Sequence, residues 1–354
     1  MEEESPEELG YHTLSANLAE SSVRDRNFKD LDLQLHDLVL FYGDHRGHPQ
    51  LRQLLADEAG LTPADVLLSS GAAMALFLVH MTLLGPGDHL IVARPNYATN
   101  LETPYAIGCE VSFLDLRYEE GWNVDPKRIA AMLRPQTRLI SLTTPHNPTG
   151  TEMDRARLDA VIHLCEQHGC HLLLDQTYRE LSASPLPVAA GLSDRVISVS
   201  SISKTYGLPG LRVGWLLSAD STFLKTCLAA KEQVVLTGSV LDEAVAFQVL
   251  SRRAQDLPVI LATLAQQRLL VENWLATQPR LSWVRPGGGV TGFLRMDPAV
   301  DSTRFYQGLR QAGVMVGPGH WFGQPAQFFR LGWGWPLPAE LALGLKVISD
   351  QLTG

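Results

Sequence analysis

Ser201-Ile202-Ser203-Lys204-Thr205-Tyr206-Gly207-Leu208-Pro209-Gly210-Leu211-Arg212-Val213-Gly214-Trp215 is the stretch whose reading decides the fold. One lysine stands among small, hydroxylated and glycine residues, directly after the apolar run Val196 to Val199. That run predicts a buried strand which opens at Lys204 into a glycine-rich loop. An ordinary lysine is almost wholly ammonium at neutral pH and a poor nucleophile. Two serines before Lys204 and Arg212 after it suit a phosphate and a carbonyl better than a core. A lysine in that company fits a Schiff base with a carbonyl cofactor.

Outward from this segment, apolar runs alternate with amphipathic stretches. Strands are expected at Val66-Ser70, His89-Ala93, Cys109-Leu114, Arg138-Thr144, Cys170-Asp175, Arg195-Ser200 and Arg212-Ser218. Helical patterns lie between them, such as Asp125-Leu133, with Asp125 as N-cap, and Arg155-His168, ended by Gly169. This is the rhythm of an α/β fold with a mainly parallel, seven-stranded sheet. After Leu257 it changes to a long helix over 258–277, strands near Leu281-Val284, Val290-Met296 and Phe328-Gly332, and helices at Ser302-Ala312 and Pro338-Leu352. A large domain over 33–257 is therefore expected beside a smaller α+β domain built from 1–32 and 258–354, with the long helix bridging them. The N-terminal segment is expected to pack on the tail.

Composition narrows the function. The chain has 354 residues, 45% hydrophobic and 19% charged, as expected of a soluble globular protein, and no apolar stretch long enough to span a membrane. A net charge of -9 without a basic patch argues against nucleic acid and anionic lipid. Cys109, Cys165, Cys170 and Cys227 lack paired ligand spacing, so no metal site is expected and the thiols read as reduced core residues. The acidic start, Met1-Glu-Glu-Glu-Ser-Pro-Glu-Glu, has neither the basic nor the apolar region of an export signal, so the cytoplasm is expected. A small-molecule substrate remains.

Three further segments place chemistry at strand ends, where open α/β sheets bind ligands. Leu172-Leu173-Leu174-Asp175 puts a carboxylate at the end of an apolar strand. Burial alone would neutralise it, so an ionised Asp175 needs a cation such as a protonated pyridine nitrogen. Tyr178, three residues on, can present a phenol to the same pocket. Thr144-Pro145-His146-Asn147-Pro148-Thr149-Gly150 fixes Asn147 in a rigid turn. Ser69-Ser70-Gly71-Ala72-Ala73 follows a strand and opens a helix, whose free N–H groups can receive a phosphate.

Together with Tyr42-Gly43, Gly47, Leu51-Arg52, Arg212-Val213-Gly214 and Arg330, these motifs resemble the fold-type I pyridoxal-phosphate enzymes of the class I/II aminotransferase family over essentially the whole chain. The resemblance implies pyridoxal 5′-phosphate as cofactor and transfer of an α-amino group from an amino acid to a 2-oxo acid. It implies that Lys204 forms the internal aldimine and shuttles the proton, and that Asp175 pairs with the ring nitrogen. Asn147 and Tyr178 would donate to the ring's O3′, and Tyr97 would stack on the ring. Ala72, Ser201 and Arg212 would hold the phosphate. Arg330 matches the arginine that binds the substrate α-carboxylate, with Ala19 and Asn147 beside it. In this family Tyr42 reaches the phosphate of the neighbouring subunit, which implies a homodimer.

Some residues depart from the family pattern. Gln176 stands where Glu is frequent, and His146, before Asn147, is a histidine that can titrate near neutrality or remain a neutral hydrogen-bonding ring. Other segments, among them Gly288-Gly289-Val290-Thr291 and Val316-Gly317-Pro318-Gly319, are similar to a cyclising branch of the family, the capreomycidine synthases. They leave elimination, replacement or cyclisation open as alternatives to transamination. The side-chain pocket is expected around Asn17-Leu18-Ala19-Glu20-Ser21 and His320-Trp321-Phe322. There Glu20 can attract a cationic side chain or simply be exposed, and Trp321 can cover an apolar one or simply pack. Trp333 and Trp335 are expected in the core.

Overall fold

The computed structural model describes residues 5–353. Its strands in chain order are β1 (Ala16–Leu18), β2 (Val66–Ser69), β3 (His89–Arg94), β4 (Glu110–Asp115), β5 (Thr137–Thr143), β6 (His171–Asp175), β7 (Val196–Ser201), β8 (Gly214–Leu217), β9 (Leu281–Trp283), β10 (Thr291–Met296), β11 (Val314–Pro318) and β12 (Phe328–Gly332). Seven of them form a sheet in the order β2-β8-β7-β6-β5-β3-β4. From β7 across to β4 every neighbouring pair is parallel, and β8 runs antiparallel to both β2 and β7. Helices cover both faces, which is why a strand such as β6 carries the uninterrupted apolar run Leu172-Leu173-Leu174, all buried.

The reversal of β8 has a positional consequence. Gly214, where β8 begins, pairs with Ser69 at the end of β2 and with Ser201 at the end of β7. Arg212, just before β8, therefore lies at the same sheet edge as the segments that follow β2 and β7. Local signals set the flanking helices: Asp125 accepts from Lys127 N at 2.9 Å, Asp154 accepts from Arg157 N at 2.8 Å, and Gly169 ends helix Arg155–His168 in the left-handed region.

The second sheet, of five strands, has the order β1-β11-β12-β10-β9. β1 pairs in parallel with β11, so the N-terminal segment packs on the tail as a strand. Its three residues are too few to show a period-2 pattern. The long helix runs from Arg253 to Leu275, rather than over 258–277. Pro258 lies inside it, lacking only the bond its N–H would have made one turn back. Trp333 is fully buried, but Trp335 is only half-buried and stacks on Tyr11, so it is not core.

Among the described residues no helix is long and apolar enough to cross a membrane. All four cysteines are buried with free thiols.

Candidate active site

Asp175 is the last residue of β6, in register with Thr143 of β5 and Val199 of β7. Its Oδ1 accepts from Thr177 N at 3.0 Å and from Thr177 Oγ1 at 2.6 Å. Burial raises its carboxyl above the usual range, and the two Thr177 bonds oppose that. Among the described residues no ion pair reaches it. A buried carboxylate held by neutral donors needs a cation from a ligand to stay ionised.

At the neighbouring strand ends the backbone is shaped for an anion. Gly71 opens helix Gly71–Leu83 at φ +78°, and a Cβ there would lie 2.5 Å from Arg212 Nη2. A Cβ on Gly214 would collide with the Gly71-Ala72 peptide. The two glycines thus let β8, the helix N-terminus and the Arg212 guanidinium close on one another. Arg212 itself has φ +51°, in the left-handed region that non-glycine residues rarely occupy, and its Nη1 donates to Pro209 O at 2.7 Å. Ser201, at the end of β7, completes a cluster of free helix N–H groups, a hydroxyl and a guanidinium suited to a phosphate.

The two sheets meet through Arg330. It sits in β12 between Phe293 of β10 and Gly317 of β11. Its Nη1 donates to Asn147 Oδ1 at 2.9 Å, its Nη2 donates to Ala19 O at 2.5 Å, and its guanidinium lies 4.9 Å from the centre of the Phe322 ring. Nε is buried and has no partner. A cleft of about 320 Å³ opens here, lined by Ala19, Glu20, Tyr97, Asn147, Lys204 and Arg330 among others. The Lys204 loop is tied to the N-terminal segment, since Val23 N donates to Lys204 O at 3.0 Å. Gly207 is required in that loop because it has φ +62° and any Cβ would strike Arg24 O.

Most residues expected from the sequence gather here, some on the cleft wall and Ala72, Asp175, Ser201 and Arg212 at the adjoining strand ends. Tyr178 is buried, and burial of Arg330 lowers the guanidinium's pKa from its ordinary value. Tyr97 caps helix Ala98–Ile107 and is 40% exposed. Three positions fall elsewhere. Tyr42 is 81% exposed and does not reach this chain's cleft. Asn17 is buried in β1, its Oδ1 accepting from Ala19 N at 3.0 Å. His320 is exposed and does not line the cleft, whereas Trp321 and Phe322 do.

His146 is buried with both ring nitrogens engaged, Nδ1 with Thr149 Oγ1 at 2.8 Å and Nε2 with Pro95 O at 2.9 Å. Burial lowers its pKa to about 4, so the ring is neutral near pH 7 and serves as a brace. Gln176 is also a brace: Nε2 donates to Pro187 O at 3.0 Å, and Oε1 accepts from Ala189 N at 3.0 Å and Ser198 Oγ at 2.8 Å. Sequence reading missed Thr177, although a hydroxyl two residues after a strand-end Asp is a legible partner. It also missed Asn96, a buried cleft residue that accepts from Asn100 and Thr143, and Glu7; neither gives a local signal.

Two sheets with a lysine-bearing cleft at the parallel strand ends define a fold-type I pyridoxal-phosphate enzyme. Residues 14–335 match the model of aminotransferase class I and II, and the chain belongs to that family. It is 32% identical to an arginine–pyruvate transaminase from Pseudomonas aeruginosa, covering 82% of this chain and 77% of that one. It is 30% identical to a capreomycidine synthase from Streptomyces vinaceus, covering 97% and 91%. A pyridoxal-phosphate-dependent aminotransferase from Streptococcus suis superposes with a TM-score of 0.91 at 27% identity, covering 98% and 95%. The enzyme is thus an aminotransferase that uses pyridoxal 5′-phosphate and acts on an amino acid and a 2-oxo acid. The residues present fit that cofactor: the Gly71 cradle beside Arg212 suits its phosphate, and the buried, unpaired Asp175 suits its ring nitrogen.

Proposed function

We propose that Lys204 carries the cofactor and the proton transfers of this aminotransferase, and that Arg330 binds the α-carboxylate of both amino acid and 2-oxo acid. The observation that carries this reading is the cleft that Arg330 and Lys204 line together, with the guanidinium oriented there by Asn147 Oδ1 and Ala19 O. A buried guanidinium held by two neutral acceptors, with no carboxylate paired to it among the described residues, calls for a planar anion. Pyridoxal phosphate, when bound, supplies an electron-poor ring that accepts the electron pair released at the substrate Cα.

The chain's own groups do the rest. Lys204 Nζ would hold the cofactor and serve as the base that moves the proton of the substrate Cα. Asp175 keeps a proton on the ring nitrogen, and Thr177 holds Asp175. Asn147 Oδ1 positions Arg330, which leaves its amide N–H groups for O3′, joined by the Tyr178 hydroxyl. Ala72 N–H, Ser201 and Arg212 would hold the phosphate, and Tyr97 would cover the ring. The domain division belonging to this reading is at 32/33 and 257/258, which keeps the seven-stranded sheet in one domain and the five-stranded sheet in the other.

The active unit in this reading is a homodimer. Val39, Leu40, Phe41 and Tyr42 are 68%, 77%, 63% and 81% exposed, an apolar run with no cover from its own chain. A partner subunit would bury it and receive Tyr42 at its phosphate site. The four buried free thiols support a reducing compartment, the cytoplasm.

The test is spectroscopic. Protein carrying cofactor should show the lysine-bound absorption band, and single amino acids should convert it to the amine form. Lys204→Ala should lose the band, and an unchanged spectrum would remove Lys204 from its role. A second reading, elimination or cyclisation, is favoured by the likeness to capreomycidine synthase over 97% of this chain. Release of water or ammonia without amine-form cofactor would establish it.

A further inference from the structure

We propose that the cleft selects an amino acid with a cationic, guanidinium-type side chain, and that Glu20, seconded by Glu7, is the group that recognises it. The inference rests on the assignment of Lys204 to the cofactor and Arg330 to the α-carboxylate.

The charged residues lining the cleft are Lys204, Arg330, Glu7 and Glu20. With both cations committed, the charge that this chain leaves for the substrate's distal end is negative. An acidic side chain would meet two carboxylates. A neutral one would leave Glu20 covered and without a counter-charge, which is costly for a carboxylate. Burial already pushes the Glu20 carboxyl up, and Lys204 is the strongest influence opposing that rise. Once Lys204 is engaged elsewhere, a ligand cation takes over that task.

Glu20 is built into the site at both ends. In the main chain, Ala19 O accepts from Arg330 Nη2 at 2.5 Å, and any side chain on Gly332 would collide with Glu20 O, so residues 19–20 lie flush against β12. In the side chain, Oε1 accepts from the Tyr11 hydroxyl at 3.1 Å. Tyr11 stacks on Trp335 with ring centres 5.4 Å apart at 17°. Arg24 lies 4.5 Å from the centre of that indole and pairs with Glu340 at 2.7 Å. Two carboxylates lining one cleft, Glu20 and Glu7 of helix Pro6–Leu9, match the several N–H donors of a planar guanidinium better than a single ammonium.

L-Arginine and L-citrulline have nearly the same shape and differ in the distal charge, so they test the proposal directly. With the holoenzyme, kcat/KM for arginine should exceed that for citrulline by about 10- to 100-fold, the worth of one charge-assisted hydrogen bond, and L-aspartate should be poorer than either. Glu20→Gln should bring the arginine-to-citrulline ratio close to unity, while Glu20→Asp, checked for native circular dichroism, should retain part of it. Citrulline within threefold of arginine, or aspartate ahead of both, would overturn the proposal. Calorimetric binding of the two amino acids to the Lys204→Ala protein separates it from the reading beneath: a preference for arginine that persists there upholds Glu20 even if no turnover follows, and equal affinities refute it.

Discussion

Arg330 Nη2 donates to the carbonyl of Ala19 at 2.5 Å. Through that bond an arginine of the smaller sheet is oriented by the N-terminal segment, while Asn147, in the loop that follows β5 of the larger sheet, fixes its other amino group. The guanidinium therefore stands in a geometry chosen by both halves of the site. Arg330→Lys keeps the charge and loses the fork. Loss of a charge-assisted bond of about 1.5–3 kcal/mol predicts a fall in kcat/KM of about 10- to 100-fold, carried mainly by KM. Steady-state kinetics with one donor and one acceptor checks this, and an unchanged KM would free Arg330 from the carboxylate.

Asp175→Asn replaces the carboxylate with an isosteric amide that still accepts from Thr177, so the fold should survive. What disappears is the buried negative charge. Removing one member of a buried ion pair costs about 3–5 kcal/mol, and the proposed pair with the ring nitrogen predicts that the first half-reaction slows by at least two orders of magnitude, roughly. Stopped-flow absorbance reads this step directly. A rate within threefold of the parent would show that Asp175 is structural.

Much of this site was legible because its residues sit in apolar strands or beside glycines that disclose themselves. Leu172-Leu173-Leu174 announces β6 and so places Asp175 at its end. Arg330 is conspicuous inside Phe328-Phe329-Arg330-Leu331. Helix Ala98–Ile107, which Tyr97 precedes as N-cap, was not legible: it includes Pro104, and its few apolar residues give almost no amphipathic signal. β1 was hidden by its length, and the helix start at Arg253 by a proline that reads as a first-turn residue. The braces formed by His146, Gln176 and Asn96 depend on partners far away in sequence, such as Pro95, Ser198 and Thr143. Residue type alone cannot distinguish a braced histidine from a titrating one.

Gly71→Ala tests the phosphate cradle. The substitution forces a left-handed residue to carry a Cβ, at about 1–2 kcal/mol, and places that carbon 2.5 Å from Arg212 Nη2. The guanidinium is the mobile end of its side chain and should swing away rather than unfold the sheet. The expected result is a dissociation constant for pyridoxal phosphate raised by roughly tenfold or more, with thermal unfolding lowered by a few degrees. Fluorescence titration of apoenzyme with cofactor measures the first. An unaltered affinity would exclude Arg212 from the phosphate site.

His146 makes a prediction about pH. Its pKa is held near 4 in the folded protein, as is that of His80, which is buried with Nδ1 on Leu76 O at 2.8 Å. In the unfolded chain both rise to the ordinary histidine value of about 6.5. Between those values the unfolded state binds more protons than the native one, so the contribution of each ring is complete above about pH 6.5 and is lost as the pH falls toward 4. A shift of this size corresponds to about 3 kcal/mol for each ring, as an order of magnitude. Buried carboxyls that are raised, such as Asp175 and Glu243, change stability in the opposite sense, so the parent curve alone mixes the two. The difference between parent and His146→Gln in urea midpoint, followed from pH 7 to pH 4.5, isolates one ring. The variant should be the less stable at pH 7, and the gap should narrow as the solution is acidified. The rate of the half-reaction between pH 6 and 8 should carry no step that His146→Gln removes. Such a step, or a gap that widens in acid, would show that His146 takes up a proton in the working range.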